Sequence, residues 1–145
     1  MVSETVAGRR VARIGLTIFA GLLGVTAVLG GAALLFGWLG VPTDLLVGAP
    51  FGSYTIPALL LIVLVGGSGL LATALLLRRS AGDLAASGVA GLAILSFEAV
   101  ELVVIGFSWL LALYVAIGFA ILILTAGLWV AGRDDPQTRR ALAAE

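Results

Sequence analysis

The chain has 145 residues, 61% of them hydrophobic and only 11% charged. Soluble domains carry about 25% charge, so this composition, laid out in long apolar runs, marks a membrane protein. Without His, Cys or Lys there are no disulfides, no thiolate nucleophiles and no ordinary zinc sites, and the formal net charge of zero says nothing about partners.

At this length residues 1–145 form one domain. Four apolar spans follow one another: Ile14–Leu39, Ile56–Leu77, Leu84–Ile105 and Ser108–Val130. About 21 helical residues rise roughly 32 Å, which matches the hydrocarbon core of a bilayer. The first span is longer and has to tilt or emerge at its outer end. Its basic start resembles that of a signal peptide, but its apolar run is far longer than a signal core, so an uncleaved span is expected.

The cationic residues orient the spans. Arg9, Arg10 and Arg13 precede the first, Arg78 and Arg79 lie between the second and third, and Arg133, Arg139 and Arg140 follow the fourth. With four spans all eight fall on one side, and the positive-inside rule makes that side cytoplasmic. The expected fold is therefore all-α: a polytopic bundle of four antiparallel transmembrane helices with both termini cytoplasmic. Arginine as the sole cation, beside abundant Ala, Gly, Val and Leu, points to a GC-rich bacterial genome.

The loop Gly40–Thr55 is broken by Pro42, Pro50 and Gly52, yet Leu45, Leu46, Val47 and Phe51 make it apolar enough to lie on the bilayer or cap the bundle. Pro57 suits the first turn of the second helix. Arg78–Asp83 is a short connector. At Gly106–Ser108 a glycine fit to end one helix meets a serine fit to cap the next, so the last two spans should form a tight hairpin. Phe36, Trp38, Phe51, Tyr54, Phe107 and Trp109 cluster at the outer boundary and Trp129 near the inner one, as an interfacial belt requires. Beyond Gly132 the tail is polar, and Arg133 with Asp134 and Asp135 reads as a solvated cluster.

Small residues recur within the spans: Ala20, Gly24, Ala27 and Gly31; Gly66, Gly67, Ser68, Gly69 and Ala72; Ser87, Gly88 and Gly91; Ala112, Ala116 and Gly118. Small side chains let helix backbones approach closely, and Gly24, Gly31, Gly67, Gly91 and Ala116 are the chosen packing positions. A hinge or a ligand approach at Gly66–Gly69 is the other reading.

Glu98 and Glu101 are the exceptional residues. Spaced i, i+3 inside the third span, they share one helix face. Ionisable groups in hydrocarbon cost several kcal/mol and face a bundle interior or a watery cavity. Two carboxylates this close in a poor dielectric are not expected to ionise together. No Arg shares their depth. In a hairpin turning near Phe107, Tyr114 falls between them in depth and is the expected hydrogen-bond donor; Trp109 and Thr26 are weaker candidates. Two roles fit: a polar lock between helices, or a site that handles a proton, a cation or a ligand.

No P-loop, nucleophile elbow or zinc motif occurs. Ser96 lies two residues from Glu98, a spacing that puts them on different faces. No enzyme activity, cofactor, metal or nucleic-acid partner is expected.

The stretches GAPFGSYTIPALLL at Gly48–Leu61, LLLRR at Leu75–Arg79 and FEAVELVVIG at Phe97–Gly106 resemble those of small four-span membrane proteins of actinobacteria, a family without an assigned activity. The resemblance runs from the first span to the fourth. It implies a bacterial plasma-membrane bundle and carries over no catalytic residue. The leading expectation is a structural or accessory subunit acting through helix contacts with lipid, with itself or with a larger membrane complex. The alternative is a small proton- or cation-coupled transporter or channel module using Glu98 and Glu101.

Overall fold

The computed structural model describes residues 2–48, 50 and 52–133; Phe51, Asp134, Asp135, Arg139, Arg140 and the rest of the polar tail lie outside them. The described residues form five α-helices: α1 (Val2–Leu35), α2 (Thr55–Leu60), α3 (Gly67–Arg78), α4 (Asp83–Val104) and α5 (Trp109–Arg133). A π-helical segment, Leu61–Gly66, joins α2 to α3, and a 3-10 turn, Thr43–Leu46, lies in the first loop. Among the described residues there is no strand. Four stretches are long and apolar enough to cross a membrane: Val6–Leu35, Thr55–Arg78, Asp83–Val104 and Trp109–Arg133.

The first helix stops at Leu35, short of the expected Leu39, because Gly37 takes a left-handed φ of 71°. Its N–H donates to Leu34 O at 3.2 Å and that of Trp38 to Ala33 O at 2.8 Å, the paired bonds of a Schellman ending. Arg79 ends α3 in the same way, with φ 51°, although it is not a glycine. Between α4 and α5 the turn is the expected one. Gly106 has φ 95°, and Ser108 Oγ accepts the Leu111 N–H at 3.0 Å.

Leu16, Ala20, Leu23 and Ala27 form the buried stripe of α1, at steps of three and four residues. Val65, Ala72, Leu76, Ala90, Ile94 and Ile121 complete the core. Lipid is as apolar as leucine, so burial as such drives little here and close packing decides. Glycine sets that packing. A Cβ at Gly24 would stand 2.7 Å from Leu70 N, and one at Gly69 would stand 2.8 Å from Gly24 N. At Gly31 it would meet Ala58 O at 2.9 Å, and at Gly91 Leu122 Cδ2 at 2.8 Å.

Two of the chosen packing positions are corrected. Gly67 meets no other helix, and the approach to α1 falls on its neighbours Gly66 and Gly69. Ala116 faces outward, and Gly118, half a turn on, packs against Ile94 and Leu95. In both cases the small residues sit too close together for composition to reveal which of them points inward.

At one end of the bundle Arg13 pairs with Asp83, and Arg9 donates to Ala131 O, tying α1 to the start of α4 and the end of α5. Arg133 lies 3.6 Å over the Trp129 ring. At the other end Phe36 and Trp38 stack with centroids 5.3 Å apart, and Tyr54 donates to Pro42 O at 2.8 Å, fastening the first loop to the start of α2.

Candidate functional site: an acidic cavity in the bundle

A cavity of about 470 Å³ occupies the half of the bundle next to the first loop. Its walls are the second half of α1, the α2 and π-helical part of the second span, the second half of α4 and the start of α5. The space has a topological origin. The later part of the second span packs on α4, while α2 packs on α1 and on the π turn that follows it. The two spans thus part toward the first loop, and the cavity lies in the gap. Leu46 of the 3-10 turn, 7% exposed, borders it from the loop side.

The π turn contributes to the same wall. Gly67 N–H reaches back five residues to Ile62 O, which widens the helix by one residue. Leu60, Leu61 and Leu64, at and just before the widened turn, line the cavity. Such insertions concentrate at functional sites. Sequence reading missed this one, since a π turn leaves no periodic signal; the run Gly66–Gly69 was the only hint.

Glu98 and Glu101 both line the cavity. Glu98 is 3% exposed, and its Oε2 is buried without a hydrogen-bond partner. Glu101 is half-buried. Contacts between α4 and α5 run from Gly91 against Leu122 to Gly118 against Ile94 and Leu95. Continuing that order brings Tyr114 level with the two glutamates, and it lines the cavity with them. Its hydroxyl makes no hydrogen bond to either carboxylate among the described residues; its side chain packs against the core, as that of Phe97 does.

The weaker candidates fall elsewhere. Thr26 borders the cavity, but its hydroxyl donates to Leu22 O at 2.7 Å within its own helix. Trp109 is 75% exposed and does not line the cavity. Tyr54 was read only as an interfacial aromatic, yet it borders the cavity from the loop. Among the described residues no arginine lines the space, and the remaining walls are almost wholly apolar. Among the described residues no group of three or more His, Cys, Asp or Glu could hold a metal ion.

The chemistry on offer is narrow. Two carboxyl groups face a low-dielectric space with no fixed cation to neutralise them. They can hold protons, or accept a cation that arrives from outside. No protein-family model, curated protein or solved structure matches the chain.

Proposed function

We infer that this chain is a multi-pass protein of a bacterial plasma membrane, a bundle of four antiparallel helices with both termini cytoplasmic, whose Glu98 and Glu101 form an intramembrane site for exchangeable protons or cations. The observation that carries the site is the buried, unpartnered Glu98 Oε2 beside a cavity that Glu101 shares. A structural lock would need its polar groups hydrogen-bonded, because a buried unpaired acceptor costs about 1–3 kcal/mol. An unpaired acid beside an open space is instead a group kept for something that comes and goes.

The topology is supported by charge and by contact order. The described arginines sit at one end, and moving up α1 from Gly21 to Gly24 to Gly31 the facing residues run back from Thr73 to Leu70 to Ile62. Arginine as the sole cation supports the bacterial assignment.

Infrared spectroscopy of the purified protein in lipid tests the site. The carboxyl bands are assigned with Glu98→Gln and Glu101→Gln. They should respond to pH and shift on transfer to heavy water, because carboxyls reached by solvent titrate and exchange. Bands that neither titrate nor exchange would mean a sealed pair, and would return the protein to a structural role.

A second reading, an accessory subunit, is favoured by one observation. The apolar window of α5 is only 17% buried, the least of the four spans, and Ala112, Ala116 and Gly127 lie on its outward surface. Small outward residues fit a helix from another copy or from a larger complex. The chain lacks Cys, so oxidation of an Ala116→Cys variant in membranes reports contact between copies directly: a disulfide-linked dimer supports it, and an all-monomer result removes contact between copies through this face.

A further inference from the structure

The cavity discriminates among cations by its shape and by the scarcity of its oxygens. A hard metal ion needs six or more oxygen ligands, or a shell of water that an apolar wall cannot hydrogen-bond. Here the acceptors are two carboxylates on neighbouring turns of α4, with the hydroxyls of Tyr54 and Tyr114 at the margins. Apart from the hydroxyls of Thr26, which donates to Leu22 O, and of Ser96, the other side chains lining the cavity are hydrocarbon or aromatic. A space of about 470 Å³ falls in the size range of sites that enclose a small organic molecule. Resting on the acidic-site reading above, we propose that the cation taken by Glu98 and Glu101 is a lipophilic organic monocation, an alkyl- or aryl-substituted ammonium or phosphonium, bound in exchange for a carboxyl proton.

Three features complement such a ligand. Its apolar body matches the leucine, valine and isoleucine walls. Its charge meets a buried carboxylate oxygen that has no other partner, Glu98 Oε2. Tyr114 and Phe97 border the same space, and aromatic rings attract organic cations. The exchange is balanced: the neutral carboxyl releases a proton, and the carboxylate left behind neutralises the incoming monocation. Proton and ligand therefore compete for one group, and binding strengthens as pH rises. Besides Glu101, the titratable groups facing the cavity are Tyr114 from α5 and Tyr54 from the loop; α1 and the second span contribute none.

Gly30 offers a test by shape alone. It lines the cavity, and a Cβ there meets nothing closer than Leu61 Cδ2 at 3.9 Å. A Cβ there clashes with nothing, so Gly30→Leu should take up part of the cavity without changing any charge.

The experiment is calorimetric titration of the protein in detergent with tetraphenylphosphonium, and with tetraphenylborate as the anion of the same shape. The phosphonium should bind with affinity rising up to about tenfold per pH unit across the titration of the site, the slope of a one-proton exchange. Buffers of different ionisation enthalpy should report about one proton released per ligand. Glu98→Gln and Gly30→Leu should each weaken binding at least about tenfold, and Glu98→Asp should restore part of it. Helicity and elution volume show that each variant is folded. Binding that is equal for the borate, or indifferent to pH and to both variants, would be simple partition into an apolar surface and would overturn the proposal. If the carboxyl bands titrate and exchange but the phosphonium does not bind, the ligand class is wrong and the proton site stands. If neither is seen, both fall.

Discussion

At the scale of single residues, glycine marks where two helices touch and where a chain reverses. Replacing Gly by Ala inside a helix gains about 1 kcal/mol of propensity when nothing opposes it. At Gly127, where a Cβ meets nothing within 4 Å, that gain should appear as a slightly higher Tm in detergent. At Gly24 the added carbon would stand 2.7 Å from a backbone nitrogen, which cannot step aside as a side chain can. There the overpacking term of about 1–3 kcal/mol wins, and Gly24→Ala should lower Tm. Equal shifts for the two variants would contradict the close approach of α1 and α3. Arg79 presents the reverse case. It holds a left-handed φ of 51°, a conformation that strains an L-residue by roughly 1–2 kcal/mol. Arg79→Gly should therefore raise thermal stability by about 1 kcal/mol, even though it removes a charge from the connector. A fall in Tm would mean that the arginine side chain contributes more there than its backbone costs.

At the scale of elements, the joins between spans carry the most legible chemistry. Gly106 and Ser108 were read as an ending and a cap, and both act so: the serine hydroxyl accepts the Leu111 N–H. Ser108→Ala should destabilise the α4–α5 hairpin by about 1 kcal/mol, the usual worth of an N-cap, with Ser108→Asp restoring it. Identical unfolding of Ser108→Ala and the parent protein would show the cap to be redundant in lipid. The ion pair between Arg13 and Asp83 was not legible, since the two are 70 positions apart and Asp83 reads as part of a connector. Asp83 is 8% exposed, so removing its partner leaves a carboxylate with little water around it. Arg13→Ala should cost up to about 3 kcal/mol, and Arg13→Asp combined with Asp83→Arg should recover part of that. A double swap no better than the worse single change would show that the pair acts through something other than its charge.

At the scale of the whole molecule, topology decides which compartment the acidic cavity faces. Val47 is 86% exposed on the first loop, and Ser80 lies in the connector beside Arg78 and Arg79. In a chain without cysteine, Val47→Cys should react with a membrane-impermeant maleimide on intact cells, and Ser80→Cys only after the membrane is opened. The opposite pattern would invert the bundle and turn the cavity to the cytoplasm. Charge placement carries this expectation unaided, because the cost of moving arginine across a bilayer acts locally on each connector and needs no tertiary detail.

Spans, turns and the two glutamates were open to reading from the chain alone for the same reason. Hydropathy, arginine placement and helix-ending residues act through solvent and neighbouring backbone, so short stretches of sequence determine them. The cavity, the π turn and the choice of Gly66, Gly69 and Gly118 over Gly67 and Ala116 were decided only in three dimensions. Each depends on the rotation of one helix against another. A membrane helix apolar on every side carries no stripe to announce that rotation, and steric fit between facing side chains settles it. The unpartnered state of Glu98 belongs to the same group: its residue type and depth are written in the chain, but its lack of a donor is a property of the space that Tyr114 lines without bridging.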